Sequence, residues 1–263
     1  MATSRQKEFA FGAVRNSGLL STHWLSHRLR LEPEWTERRA DAMSALADMA
    51  TLWKKQRGRV AKFDSEASLE YAFIQPVFEI LGWTLDYQTV LQGRAPDYAL
   101  FLSSEDFDRA LEVGKSHPDY WAYPAVVADA KAWQLSLDRR NQSTSKREFP
   151  PQQIEWYIDR SRLPFGILTN GEQWRLIPRE RLPFQGRFDT YLEIRLCELL
   201  EKWLSPKSHL MEREHLEDDF FQFYLFFSPK GYVAHPDRQS LVVRAIQGSS
   251  GWTDRKLGMG RRG

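Results

Sequence analysis

The residues in this chain best suited to chemistry are an acid and a lysine, Asp129 and Lys131, at the end of the apolar run 125–130. Side chains two positions apart in an extended strand lie on the same face of the sheet. The carboxylate and the ammonium group should therefore lie side by side at a strand end. A lysine in this position can orient a water molecule or stabilise the charge that develops on a phosphoryl oxygen.

A second acid, Asp97, follows Pro96 and opens another apolar run at 98–102. If its strand pairs antiparallel with the strand that ends at Asp129, the two carboxylates and the ammonium group share one cleft. Two hard oxygen ligands can hold Mg²⁺, for which Mn²⁺ could substitute, and metal-bound water is a far better nucleophile than free water. We therefore expect Asp97 and Asp129 as metal ligands, with the backbone carbonyl of Ala130 as a further candidate.

The same triplet has a simpler interpretation. An acid-x-lysine triplet is expected about once or more by chance in a chain of this length, so it indicates a site only where the surrounding elements agree. Taken alone, Asp129 and Lys131 could form a surface ion pair at a strand end, and such pairs contribute little to stability. The elements around the triplet must decide between the two interpretations.

These elements follow one another in a definite order: Glu70 on a helix, Pro96-Asp97, Asp129-Ala130-Lys131, and then Gln153 and Tyr157 on a second helix. This order resembles the PD…(D/E)xK nuclease superfamily. More narrowly, it is similar to the branch with a Q-x-x-x-Y element that occurs in type I restriction motor subunits and in single-chain restriction-modification enzymes.

The segment 165–176, with the sequence FGILTNGEQWRL, is similar to the hairpin that follows the Q-x-x-x-Y element in that branch. Its central Asn-Gly is also a strong two-residue hairpin signal in its own right. The resemblance covers approximately residues 60–200. It implies an α/β restriction-endonuclease-like fold, with a mixed central sheet flanked by helices, and Mg²⁺-dependent hydrolysis of phosphodiester bonds in double-stranded DNA.

The resemblance also implies roles for three further side chains. Glu70 would lean toward the metal cleft as an accessory ligand or water acceptor, although a solvated helix glutamate is an equally good interpretation. Gln153 and Tyr157 are one turn apart and face the same way on their helix. Gln153 would form a hydrogen bond near the metal or the DNA strand, and Tyr157 would pack or contact phosphate.

A polar segment rich in basic residues lies between Lys131 and the second helix. Its bases are Arg139, Arg140, Lys146 and Arg147. A loop of this composition near a phosphodiester site is a candidate for contact with the DNA backbone. A loop that is merely flexible explains the same composition equally well.

Helical periodicity and composition divide the chain into four segments. We expect a helical segment at 1–60, the nuclease-like domain at 61–204, a second helical segment at 205–247 and a flexible basic tail at 248–263. The apolar helix near 212–227 has more aromatic residues than a free surface helix needs, so it should dock on the first helical segment or on a downstream domain.

The composition excludes several classes of protein. The chain has 263 residues and one cysteine, which excludes an internal disulfide and a cysteine-rich zinc site. The single cysteine, Cys197, is typical of a protein in a reducing cytoplasm, which is the location we expect. No apolar run approaches the roughly 20 residues of a membrane helix, so we expect no membrane association. The net charge of +2 permits DNA binding without predicting it.

Neither a Gly-x-x-x-x-Gly-Lys-Ser/Thr loop nor an Asn-Pro-Pro-Tyr element occurs in the chain. If the resemblance holds, the chain therefore carries the cutting part of a restriction-modification or phage-defence system. Its partners would be methyltransferase, specificity or motor modules in the same or another chain, and a homodimer would permit double-strand cutting. The alternative is a nuclease fold without catalytic activity that binds DNA or serves in assembly.

Overall fold

The computed structural model describes residues 9–63, 65–133, 135–138, 149–181, 185–206 and 210–249. The strands in this part of the chain are β1 (Phe9–Phe11), β2 (Val14–Ser17), β3 (Thr84–Tyr87), β4 (Tyr98–Phe101), β5 (Val126–Ala130), β6 (Phe165–Thr169), β7 (Gln173–Pro178) and β8 (Tyr191–Arg195). They form one sheet in the order β1-β2-β8-β7-β6-β5-β4-β3. Strands β5 and β6 pair in parallel and the other described neighbours antiparallel. The expected α/β fold with a mixed central sheet is confirmed at this level.

Helices cover both faces of the sheet. They are α1 (Pro33–Glu37), α2 (Arg39–Gln56), α3 (Glu66–Leu69), α4 (Gln75–Leu81), α5 (Ser104–Val113), α6 (Pro150–Ser161), α7 (Leu196–Leu204), α8 (Leu210–Phe227) and α9 (241–249). One apolar core joins the sheet to α2, α4, α7 and α8, and a second joins the opposite face to α5 and α6. No helix in the described ranges is both long and apolar enough to cross a membrane.

The helical region before β3 is built as its sequence indicates. The expected apolar stripe of Leu69, Phe73, Val77 and Leu81 is buried in the core. The helix is not continuous, because a wide π-type turn at Glu70–Ile74 separates α3 from α4. Proline lacks an amide hydrogen and is tolerated in the first turn of a helix, so a new helix, α4, begins at Gln75 with Pro76 in its first turn, as expected.

Helix α6 connects the parallel strands β5 and β6 and packs against both of them. Gly166 allows this close approach, because a Cβ atom at this position would lie 2.6 Å from Cδ1 of Ile158. The close packing holds α6 against β5 and β6. The hairpin predicted from Asn170-Gly171 is confirmed, since β6 and β7 pair on either side of this turn.

The expectation that residues 1–60 are wholly helical is wrong. Strands β1 and β2 form a hairpin, and β2 pairs with β8, so the first segment supplies part of the sheet. The turn between them contains Gly12, whose φ of +63° is one that glycine adopts without strain. Strands of three and four residues carry too little periodicity to be recognised, and pairing with β8 is what fixes them.

The aromatic helix α8 docks on α2 and α7, so the expected contact with the first helical segment is confirmed. Its buried aromatic side chains are Phe220, Phe221, Phe223, Tyr224, Phe226 and Phe227. A ring of this set, Phe223, packs edge-on against Trp174 of β7 with 5.7 Å between ring centroids. Helix α8 is therefore part of the core that supports the sheet. The basic tail from residue 250 onward lies outside the described residues.

Candidate active site

The site lies where the start of β4 meets the end of β5. The antiparallel pairing predicted for these strands is confirmed, and its register sets Tyr98 opposite Ala128. Asp97 precedes Tyr98 and Asp129 follows Ala128, so the two acids lie at the same end of neighbouring strands. The carboxylate oxygen Oδ2 of Asp97 accepts a hydrogen bond from the Ala130 backbone nitrogen at 2.6 Å. The first acid is thus fixed to the strand of the second.

Lys131 projects into the same place. Its Nζ lies 2.6 Å from Oδ2 of Asp129 and donates a hydrogen bond of 2.7 Å to the backbone carbonyl of Ala130. Burial lowers the pKa of the Lys131 ammonium group, but the charges of Asp129, Glu66 and Asp97 outweigh burial and raise this pKa above its ordinary value. The lysine is therefore a fixed positive charge, and the Ala130 carbonyl already has a hydrogen-bond donor.

A third and a fourth acid come from the helical region before β3. Ser65 caps α3 by accepting a hydrogen bond from the Ser68 backbone nitrogen at 3.2 Å. Helix α3 then carries Glu66, and the π-type turn that follows begins at Glu70. Carboxylate oxygens of Glu66, Glu70 and Asp97 lie within 4.8 Å of one another. Wide turns of this type often occur at functional sites.

Burial and the closeness of the acids raise the pKa values of two of them. Burial raises the pKa of Asp97 to about 9, and the charges of Asp129 and Glu70 add to this shift. Burial likewise raises the pKa of Glu70 to about 7, with a contribution from the charge of Glu66. Carboxylates that are buried together cannot all ionise without a compensating cation. The negative charge of four ionised carboxylates would exceed the positive charge that Lys131 supplies.

The donor atoms of this cluster suit a hard divalent cation. The three carboxylates that lie within 4.8 Å of one another, those of Glu66, Glu70 and Asp97, offer oxygen ligands of the type that Mg²⁺ and Mn²⁺ prefer, whereas Oδ2 of Asp129 is paired with Lys131. The Tyr98 hydroxyl interacts with the Glu70 carboxyl and partly offsets the effect of burial on its pKa, but Oε2 of Glu70 is buried and has no hydrogen-bond partner in the described part of the chain. A buried carboxylate oxygen without a donor is costly, and a cation would satisfy it. The residues present therefore fit Mg²⁺: of the ligands expected from the sequence the close group contains Asp97, with Glu70 as the accessory acid, and it adds Glu66, whereas Asp129 and the Ala130 carbonyl contact Lys131.

Helix α6 presents Gln153 and Tyr157 toward the site. Gln153 Nε2 donates to the Tyr157 hydroxyl at 3.2 Å, and this hydroxyl donates to the Ala95 carbonyl at 3.1 Å. Burial raises the pKa of Tyr157, and the charges of Asp129 and Asp97 raise it further. Gln152 is exposed, whereas Gln153 faces the tyrosine, which is the register that the Q-x-x-x-Y spacing requires. The helix is thereby fixed to the chain that leads into Asp97.

No family model, no curated protein and no solved structure matches this chain. The interpretation of the site therefore depends on its geometry and on the resemblance in its sequence motifs.

Two features of the site were missed in the sequence. Glu66 stands one helical turn before Glu70, and this i, i+4 spacing was the available signal. Arg175 is buried in the sheet, where its Nε lies 2.6 Å from Oε2 of Glu193 and its Nη2 lies 2.8 Å from Oδ1 of Asp138. Arg175 thus anchors the chain beyond Lys131, and no sequence pattern identifies it.

The basic segment considered for contact with DNA cannot be placed relative to the site. Its residues Arg139, Arg140, Lys146 and Arg147 lie outside the described residues. The chain that leads into it is fixed at two points. Asn170 Nδ2 donates to the Leu135 carbonyl at 3.0 Å, and Asp138 is held by Arg175.

Proposed function

We propose that this protein is a Mg²⁺-dependent DNA endonuclease of the restriction-endonuclease-like fold. The observation that carries the proposal is the convergence of Asp97, Asp129 and Lys131 at the paired ends of β4 and β5. The i, i+2 spacing alone already sets Asp129 beside Lys131, so the informative part of this convergence is that Asp97, on a different strand, lies at the same place. The mixed sheet flanked by helices is also compatible with that fold.

The acids have distinct roles in this proposal. Asp97 would hold Mg²⁺ together with Glu70 and Glu66 from the helical side, and Asp129 would approach it from the neighbouring strand end. When it is bound, Mg²⁺ supplies a water molecule of lowered pKa and positive charge for the phosphoryl group. The carboxylates would bind and orient the metal ion. They would also offset part of its positive charge, so that a dianionic phosphate product is held less tightly.

Lys131 acts on the phosphodiester itself. Its ammonium group is charged at neutral pH and lies beside Asp129 at the end of β5, so it could donate a hydrogen bond to the attacking water or to a phosphoryl oxygen. Its contact with Asp129 holds Nζ in one position before substrate arrives. Preorganised charge of this kind needs no rearrangement at the moment of reaction. Gln153 and Tyr157 position the chain that carries Asp97.

A second candidate function is a nuclease fold without catalytic activity that binds DNA or serves in assembly. The contact that favours it is the one between Lys131 and both Asp129 and the Ala130 carbonyl, which occupies oxygens that the metal would use. In this case the ion pair would be a purely structural element. DNA binding would then survive loss of Asp129, and the wild-type protein would not cut with any divalent cation.

Cleavage of supercoiled plasmid DNA with Mg²⁺, Mn²⁺ or EDTA tests the proposal. We expect nicked or linear DNA with Mg²⁺, and none with EDTA, Asp129→Asn or Lys131→Ala. A matched control is Lys115→Ala, because Lys115 also forms an acid-lysine ion pair, with Asp86, at 2.5 Å. Full cleavage by Asp129→Asn would contradict the assignment of Asp129 to the active site. Absence of cleavage by the wild type would favour the second candidate, a nuclease fold without catalytic activity.

The proposal also extends to partners and location. Double-stranded DNA is the substrate, and methyltransferase, specificity or motor modules in the same or another chain would direct the nuclease to its target. Two copies would act together in double-strand cutting. Such a system works on DNA in the cytoplasm.

A further inference from the structure

A stack of two arginines on one tryptophan lies beside the candidate site. The guanidinium carbon of Arg94 is 4.9 Å from the ring centroid of Trp156, and that of Arg160 is 5.7 Å from the same ring. Arg94 belongs to the chain that leads into Asp97, whereas Trp156 and Arg160 belong to α6. Both arginines are exposed. Within the described ranges, neither guanidinium is paired with a carboxylate.

The turn that carries Arg94 is rigid. Leu91 and Arg94 exchange backbone hydrogen bonds of 2.6 and 3.1 Å across Gln92 and Gly93. Gln92 has a φ of +48° and Gly93 a φ of +83°. Two successive positive φ angles form the tight turn that matches strand twist, although a glutamine is held there at a cost. The backbone thus fixes Arg94 before any ligand binds.

The stack is coupled to the site through one hydrogen bond. The Tyr157 hydroxyl, next in sequence to Trp156, donates to the carbonyl of Ala95, next in sequence to Arg94. This contact joins the turn to α6 between the stack and Asp97. The Trp156 and Tyr157 rings also pack edge-on, with 5.6 Å between centroids. The stack therefore adjoins Asp97, which lies on the same connection as Arg94.

If DNA is to approach the acids, positively charged side chains are needed beside them. Even with Asp97 protonated, the remaining carboxylates outnumber the one ammonium group, so the cluster carries an excess of negative charge, which repels a polyanion such as DNA. A guanidinium stacked on an aromatic ring keeps its in-plane N–H donors free, and these match a phosphate group in geometry. The ring also holds the arginine in place, so less conformational entropy is lost on binding.

We propose that Arg94 and Arg160, both held by Trp156, bind backbone phosphates of a DNA duplex next to the acids. Arg94 and Arg160 contact the DNA, and Trp156 is a positioning residue that acts through them. The inference rests on the proposed function for the identity of its ligand. It assigns substrate binding to residues that the candidate metal site does not include.

Fluorescence anisotropy with a labelled DNA duplex tests the inference on the full chain, in EDTA and over a series of salt concentrations. We expect Arg94→Gln and Arg160→Gln each to weaken binding about tenfold. Each should also reduce the slope of log affinity against log salt concentration by about 1. Trp156→Leu should lower the slope as well, and Trp156→Phe, which keeps an aromatic face, should restore it.

A matched control is Arg213→Gln, because Arg213 is exposed and stacks on Trp203 at 5.3 Å in another part of the fold. This variant should bind DNA like the wild type. A stack with a merely structural role would change the melting temperature of the Trp156 variants and leave the salt slope unchanged, which would overturn the inference. Absence of DNA binding by the wild type would overturn it too.

Plasmid cleavage separates this inference from the proposed function. If the wild type cuts DNA and the Arg94 and Arg160 variants bind and cut as well as Arg213→Gln, the inference is wrong and the nuclease assignment stands. If the wild type does not cut, while both variants lose affinity and salt dependence, the phosphate-binding surface stands and the nuclease assignment is wrong.

Discussion

The Nζ atom of Lys131 lies 2.6 Å from Oδ2 of Asp129, and both side chains are buried. This ion pair differs from a surface pair because neither charge can be solvated by water if the other is removed. Its position at the end of β5, beside three further acids, links the stability of the fold to the chemistry of the site. Substitutions that alter the charge balance here should therefore change stability and metal binding together.

Replacement of Lys131 by methionine should destabilise the metal-free protein by about 3 kcal/mol, because it removes the ammonium group beside a buried carboxylate. Mg²⁺ should recover part of this loss by supplying the missing positive charge. Thermal unfolding with and without Mg²⁺ measures both effects. Lys115→Met should cost less, because Asp86 keeps hydroxyl donors from Tyr120 at 2.6 Å and Thr89 at 2.9 Å. An equal loss in both variants would contradict this prediction.

Asp97→Asn should stabilise the metal-free protein at alkaline pH. The pKa of Asp97 is about 9 in the folded chain, above its ordinary value of 3.8, so the folded state holds this proton more tightly than the unfolded state. The free energy of unfolding should therefore fall as pH rises from about 4 to about 9. The asparagine variant lacks this contribution, so its stability should exceed that of the wild type increasingly toward pH 9.

Urea unfolding at a series of pH values measures this difference. Asp48→Asn is the control, because Asp48 is exposed on α2 and should leave the pH profile of stability unchanged. Mg²⁺ should abolish the advantage of Asp97→Asn, since the variant loses a ligand that the wild type offers. A wild-type stability that rises between pH 5 and pH 9 without metal would refute the charge balance described for this site.

The elements that carry the site could be predicted because each has a strong local signal. An Asn-Gly turn between apolar strands, a serine before a helix and a proline in a first turn all act within a few residues. The antiparallel meeting of Asp97 and Asp129 followed from two apolar runs and the alternation of strand side chains. These signals depend on local sterics and hydrogen bonding, which the sequence alone determines.

The features that escaped prediction depend on contacts between distant parts of the chain. Strand β2 is held by β8, far along the sequence, and three or four residues show no period of their own. Arg175 alternates with apolar neighbours and is therefore typical of a solvent-facing position, yet Glu193 on the next strand pairs with it in the interior. Only tertiary structure brings together such a pair.

Glu66→Gln should weaken binding of Mg²⁺ about tenfold if Glu66 belongs to the ligand set, as its distance from Glu70 and Asp97 indicates. Isothermal titration of the full chain with MgCl₂ measures the affinity directly. The control is Glu79→Gln, because Glu79 is exposed on α4 and bonded to Gln75. If both variants bind Mg²⁺ like the wild type, the cluster is limited to the acids expected from the sequence.

Arg175 should have separate effects on stability and on activity. Its guanidinium bonds Glu193, donates to the Leu137 carbonyl at 3.3 Å, and stacks on the Tyr191 ring at 4.3 Å. Arg175→Met should destabilise the fold by about 3 kcal/mol, because the Glu193 carboxylate then remains buried without its partner. Since an apolar pair of similar volume removes this cost, the double variant with Glu193→Met should recover most of the stability.

The double variant should nevertheless cut DNA more slowly than the wild type. It restores packing within the sheet but not the bonds from Arg175 to Leu137 and Asp138, which anchor the chain beyond Lys131. A fall in kcat with unchanged thermal stability would show that the arginine positions this chain for catalysis. If the double variant instead matches the wild type in both stability and kcat, Arg175 serves the core alone and the anchoring of residues 135–138 has no part in the reaction.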